Sequence, residues 1–263
     1  MPGNTSMSEP APRPLVGFFG KLPGRGDFIG RHLPKSFIEP WDAWLQTAIE
    51  DSRAQLGGLW RERYCTSPIW RFALAAGLCG PTAYAGILMP SVDRVGRYYP
   101  LVIALPLEPT WPLLVLPVTA DPWFSQAERL ALAGLDLDRL DLDDFSRQVE
   151  ALGEPPSPAF EADRAAAGNA WYCPVPEATG IVALAPALAS DLLGRAFSRS
   201  SLWWTEGSEH IARCLLICDG LPPVSGFAAL LAGEWRQWGW TEKRFAGLAP
   251  PPGTPSSAEE SPI

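Results

Sequence analysis

Apolar residues recur along this chain with two periods, and the places where the period changes mark its elements. From Ser36 onward, Phe37, Trp41, Trp44, Leu45 and Ala48 return every three or four positions, which is the spacing of one helical face. Ser36 and Glu39 are expected to form a capping box at its start, the serine oxygen and the glutamate each satisfying a free amide. Pro40 is tolerated because a first turn has no upstream carbonyl to lose. Ahead of this helix, Leu15 to Phe19 reads as a strand. Beyond it, "IWRFALAAG" (69 to 77) alternates Trp70, Phe72 and Leu74 with Arg71 and Ala73, the period of two that a strand requires. "YAGILM" (84 to 89) and "YYPLVIALPL" (98 to 107) are two further apolar runs. The connections among these three are short, so they are expected to pair antiparallel as a meander.

Two helices follow. The first is expected to take Asp121 as cap and Pro122 in its first turn, with Trp123, Ala127, Leu130 and Ala131 on its apolar face. The second carries Leu142, Phe145, Val149 and Leu152. "GIVALAP" (180 to 186) and "RCLLICD" (213 to 219) read as strands, while "SSLWWTEG" (200 to 207) is either a short strand or a loop. A last helix is expected from near Ser225, placing Phe227, Leu231, Glu234, Trp235 and Trp238 on one side. Residues 153–180 are rich in Pro and Ala and read as a surface excursion within one domain; a boundary between two subdomains is the alternative. The Pro-rich ends, 1–14 and 249–263, are expected to be disordered, because they cannot bury enough apolar area to offset ordering. The expected fold is therefore one α+β domain over 15–248: a mostly antiparallel central sheet flanked by helices, an α/β/α-type sandwich.

Composition sharpens this picture in three places. Hydrophobic content of 47% against 19% charged requires a packed core and excludes wholesale disorder. Twelve tryptophans call for a Trp-rich core or a Trp-lined interface. A net charge of -8 argues against nucleic acid and against anionic membrane as partners. No apolar run reaches the roughly 18 residues of a membrane span, so no direct membrane insertion is expected. The first residues lack the basic and apolar regions of a secretory signal. The five cysteines (Cys65, Cys79, Cys173, Cys214, Cys218) are odd in number and are expected to be buried free thiols in a reducing, cytoplasmic compartment.

Candidate chemistry is sparse. Cys214 and Cys218 share one face of a strand, but a zinc site needs about four ligands and no second pair accompanies them, so no metal and no cofactor is expected. The aspartates of 136–144 do not follow an EF-hand: counting from Asp136, the fifth position is Leu140 and the sixth is Asp141. They are expected to stabilise a helix start. "GKLPGRGDFIG" lacks the order of a phosphate loop, and its glycines are expected to allow tight turns. Neither His32 nor His210 has a nucleophile beside it, and no Gly-x-Ser-x-Gly elbow exists, so no catalytic residue is assigned. What remains is Arg25 and Asp27 in one loop, Asp93, Arg94 and Arg97 in another, and the adjacent Trp203 and Trp204. Arg and Trp dominate binding hot spots, so these seven form the expected partner-binding set. Loop salt bridges such as Asp27 to Arg97, fixing geometry alone, are the competing reading. On a strand, adjacent tryptophans point to opposite faces, so one is expected in the core and the other exposed.

The stretches "GFFGKLPGRGDFIGRHLPKSFIEPWDAWLQ", "SPIWRFALAAGLCG", "GILMPSVDRVGRYYPLVIAL", "SLWWTEG" and "GLPPVSGFAALL" occur in an order that resembles the TagF family of type VI secretion-associated proteins, over about residues 15 to 235. The resemblance implies a cytoplasmic, non-enzymatic regulator that represses type VI secretion after translation and is linked to the forkhead-associated (Fha) scaffold protein of that system. Some members of the family carry a PP2C-type phosphatase domain. "CDGLP" (218 to 222) lacks the glycine that follows Asp-Gly in that motif, and the chain is expected to be a stand-alone member. A small hydrolase or phosphate-binding enzyme using the 20–31 and 91–97 loops is the runner-up, and a structural subunit of the secretion machine the third reading.

Overall fold

A computed structural model of the chain describes residues 15–108, 111–136, 141–156, 185–197 and 199–244. The tails, Cys173 and most of the Pro/Ala-rich excursion, together with residues 180–184 of the expected strand "GIVALAP", lie outside the described residues. Seven strands form one sheet: β1 (Gly17–Gly20), β2 (Ile29–Arg31), β3 (Trp70–Leu74), β4 (Ala83–Met89), β5 (Leu101–Leu107), β6 (Ser200–Thr205) and β7 (Cys214–Asp219). Their order is β2-β1-β5-β4-β3-β6-β7, and every neighbouring pair is antiparallel. The expected meander is the β3-β4-β5 centre of this sheet, and "SSLWWT" is a strand.

Helices cover both faces, so the fold is α+β with the sheet in the middle. Helices α1 (Lys35–Leu56), α2 (Trp60–Thr66) and α7 (Phe227–Ala232) lie on one side. Helices α4 (Asp121–Ala133) and α5 (Leu142–Glu150) lie on the other, after the single-turn α3 (Leu116–Thr119), and Leu193 of α6 (Ala185–Ala196) packs there too. Period-two alternation sorts the strand residues between them. Trp70, Phe72 and Leu74 meet α1, α2 and α7, where Phe37, Trp41, Leu45 and Ala48 are buried. On the opposite face a single row crosses six strands through Phe18, Ile103, Ile87, Arg71, Trp204 and Leu215. Trp123, Phe124, Ala127, Leu130 and Ala131 of α4 pack against it.

Arg71 stands in the middle of that row, only 3% exposed. Its Nε and Nη2 donate to the two carboxylate oxygens of Glu128 at 2.6 and 3.0 Å, and its Nη1 donates to Asp121 at 2.7 Å. A planar fork of donors meets a carboxylate in its preferred two-point geometry, which ties the central strand to α4.

Several local expectations fail, each for a visible reason. Helix α1 starts at Lys35 after Pro34, which has no side-chain acceptor; the amides of Phe37 and Ile38 bond the Pro34 carbonyl at 3.0 and 3.1 Å. Ser36 and Glu39 therefore lie inside the first turn and form no capping box. Asp121 is likewise the first residue of α4 and not its cap, with its carboxylate turned to Arg71. Asp141, by contrast, caps α5 by accepting from the Asp143 and Asp144 amides, as the acidic run led one to expect. The last helix stops at Ala232, because Gly233 (φ 75°) and Glu234 (φ 55°) both enter the left-handed region. Trp235 and Trp238 thus lie in turns beyond it. Helices α2 and α6 have no counterpart in the sequence reading, and Ala185 and Pro186, assigned there to a strand, begin α6.

Candidate functional site

Sheet topology brings the two polar loops together. Strands β1 and β5 are antiparallel neighbours with Phe19 opposite Val102, so the end of β1 lies beside the start of β5. The loop that leaves β1 (residues 21–28) and the loop that enters β5 (residues 90–100) therefore emerge at the same end of the sheet. Gly20 (φ 142°) makes this possible, since a Cβ there would lie 2.2 Å from the Pro100 carbonyl oxygen.

The 90–100 loop is a hairpin built around Asp93. Asp93 and Gly96 occupy the first and last positions of a turn closed by the Gly96 amide donating to the Asp93 carbonyl at 3.0 Å, with Gly96 at φ 84°. The Asp93 side chain accepts from the amides of Val95 and Arg97 through Oδ1, at 3.0 and 2.9 Å. Its Oδ2 receives Arg97 Nε at 2.7 Å and Lys21 Nζ at 3.0 Å. The carboxylate is fully buried. Burial pushes its pKa up, but the Arg97 amide, the Lys21 and Arg97 cations and the Val95 amide outweigh this and hold it well below the usual carboxylate range. Asp93 is ionised at neutral pH and saturated with donors. It is the peg on which both loops hang.

Further links run between the loops. The Arg94 amide donates to the Arg25 carbonyl at 3.0 Å, Arg97 Nη2 donates to the Gly26 carbonyl, and the same nitrogen lies 3.7 Å from Asp27. The Asp27–Arg97 pair named from the sequence is present, on an exposed carboxylate. Phe28 stacks on Phe19 with centroids 5.3 Å apart, meets Tyr99 edge-on at 4.7 Å, and still leaves 45% of its surface in water. Between the loops is a shallow cleft of about 280 Å³ lined by residues 24–29 and Arg94.

Of the seven residues singled out, five meet here. Arg25, Asp27, Arg94 and Arg97 are exposed, whereas Asp93 is interior and holds the others in place. Trp203 and Trp204 do not join them. They point to opposite faces of β6, but both are buried, contrary to the expected exposure of one. Trp203 lies among Trp41, Trp44 and Phe72, and Phe124 of α4 covers Trp204 with centroids 4.8 Å apart. Neither is a contact surface in this fold. Two members of the site were not among those seven: Lys21, the buried counter-charge, and Phe28, the exposed aromatic. An aromatic following Arg-Gly-Asp just before a strand was the available signal for Phe28; Lys21 stood out only as the lysine of a glycine-rich loop, and nothing local marked it as the partner of Asp93.

The remaining candidates stay apart from the loops. His32 lies 3.8 Å from Glu150, and His210 lies 3.9 Å from both Glu62 and Glu209. Cys79 and Cys218 are buried, with thiols pushed up by burial to about 12 and about 11, which makes them poor ligands at neutral pH. Cys65 is exposed and Cys214 half-buried, so the cysteines are not uniformly interior. Among the described residues no helix is long and apolar enough to cross a membrane.

Known proteins place this architecture. No curated protein matches the chain. The crystal structure of PA0076 from Pseudomonas aeruginosa PAO1 is similar with a TM-score of 0.75 and 40% sequence identity, covering 89% of this chain and 100% of that one. Residues 17–152, which include both polar loops and β1 to β5, match the family described as "TagF N-terminal domain, Type VI secretion system-associated". This chain belongs to the TagF family of type VI secretion-associated proteins.

Proposed function

We propose that the protein is a non-enzymatic, post-translational repressor of type VI secretion that acts in the cytoplasm by binding and withholding a component of the system, the Fha scaffold protein. Its family ties it to type VI secretion. The observation that carries the reading is the use made of Asp93. The one carboxylate inside the two-loop cluster is committed to architecture, and what it presents outward is Arg25, Arg94, Phe28 and Asp27 on a braced platform. A loop backbone fixed in advance that presents cationic and aromatic side chains suits a recognition surface, because less backbone freedom is lost on binding. The competing hydrolase reading wants a group whose polar atoms can reach a substrate, whereas both Asp93 oxygens are buried and occupied by donors of the protein itself.

The test is capture of purified Fha protein by the full chain and by an Arg25→Glu/Arg94→Glu variant. Arg97 is left alone, since a glutamate there would face the buried Asp93 carboxylate and disturb the platform itself. Wild type is expected to bind, and the variant to bind at least about tenfold more weakly with an unchanged melting curve. Equal binding by both discards the surface, and failure of the wild type to bind discards Fha as the partner.

A further inference from the structure

The row that crosses the sheet through Arg71 and Trp204 is buried until its last member. Leu215 is 48% exposed, and Ile217, on the same face of β7, is 42% exposed. Among the described residues strand β7 pairs with β6 alone, and toward them its outer edge offers unpaired amides and carbonyls. Proteins blunt such edges by keeping them short, or with lysine, proline or a bulge. The opposite edge, β2, is blunted in this way: it has three residues and ends in Arg31. Strand β7 is twice as long, carries no proline and has its one charge at the terminal Asp219, in unbroken register with β6 from Cys214 to Asp219.

We propose that β7 is the interface of a symmetric dimer, in which β7 of a second copy of this chain pairs antiparallel with it about Leu216 and continues the sheet. Charge selects both the occupant and the register. A two-fold axis perpendicular to the sheet keeps each face on its own side, so residues opposite one another must lie on the same face. Centred on Leu216, Leu215 faces the partner's Ile217, and Arg213 faces the partner's Asp219. The exposed apolar side chains then pack side by side across the new strand pair, and symmetry gives two Arg–Asp pairs at the rim. Shifting the centre to Ile217 sets Asp219 against the partner's Leu215, and shifting it to Leu215 sets Arg213 against the partner's Ile217. Each alternative faces a charge with an apolar chain. Arg213 is free to turn outward, because its link to Glu206 is a 3.3 Å pair between two exposed side chains. The dimer is independent of the Fha reading and uses the edge strand farthest in sheet order from β1 and β2.

Sedimentation velocity of the full chain over a range of concentrations tests this directly. Wild type is expected at twice the 28.5 kDa monomer mass, and Ile217→Lys as a monomer with unchanged circular dichroism. Arg213→Asp and Asp219→Arg are each expected to raise the dimer dissociation constant about tenfold or more, by setting like charges opposite one another twice, and the double reversal to restore it. Should Ile217→Lys fail to fold, the charge reversals decide alone. A monomeric wild type would overturn the proposal and leave the strand to the chain's own residues or to another protein. A dimer indifferent to every one of these changes would place the interface elsewhere.

Discussion

Asp93 shows how much of the site rests on one side chain. Two cations and two amides converge on its carboxylate, and Lys21 is only 5% exposed. Removing one member of a buried pair strands the other, so Asp93→Ala is expected to destabilise the fold by about 3–5 kcal/mol in urea titrations at neutral pH. The pH dependence has a definite sign. Since the folded carboxyl titrates below its unfolded value of about 3.9, its contribution is complete above that pH and is lost as pH falls through the folded value. The gap between wild type and variant should therefore narrow below about pH 4, and a gap that stays constant there would remove the ion pairs from the explanation. The Asp/Arg triplet was legible as a cluster, because its members are neighbours in sequence. Its role was not, because Lys21 and the Gly26 carbonyl arrive from a different loop and only the β1–β5 pairing brings them within reach.

Between elements, the clamp from β3 to α4 has an asymmetry that mutation can expose. Arg71 is buried, whereas the Asp121 and Glu128 side chains are 62% and 23% exposed. Taking away the arginine leaves carboxylates that water reaches; taking away the carboxylates leaves a buried cation with nothing to neutralise it. Arg71→Met is thus expected to cost about 1 kcal/mol and Asp121→Ala/Glu128→Ala about 3–5 kcal/mol, read as shifts in urea midpoint at equal slope. Equal costs would mean that the clamp contributes only packing. Periodicity revealed the apolar face of α4 and the alternation of β3, yet the same alternation makes Arg71 look like an outward residue. It is an inward one because α4 supplies carboxylates above it, a fact that the pattern of β3 does not contain. Helix α7 teaches the converse: an apolar stripe ran on through Trp235, but Gly233 ended the helix first.

Across the whole molecule, one sheet serves two cores. Trp203 lies in the α1/α2/α7 face and Phe124 fills the α4 face over Trp204, so each face has an aromatic keystone and both share the strands β3 and β6. Trp203→Ala and Phe124→Ala are each expected to destabilise by about 3–5 kcal/mol. Because the strands are common to both, the near-UV and far-UV signals should shift together in either variant; separate transitions would show that the faces unfold independently. The sequence by itself determined the central meander, the apolar faces of α1 and α4, the acidic start of α5 and, through its motifs, the family. Those features depend on neighbours a few positions apart. Only the tertiary structure decided which polar groups meet at Asp93, that Trp204 is covered while Leu215 and Ile217 are not, and that the two polar loops share one end of the sheet. The physical reason is that burial is a property of pairs of elements. A period tells a residue which side it faces, and what lies on that side is settled by segments distant in the chain.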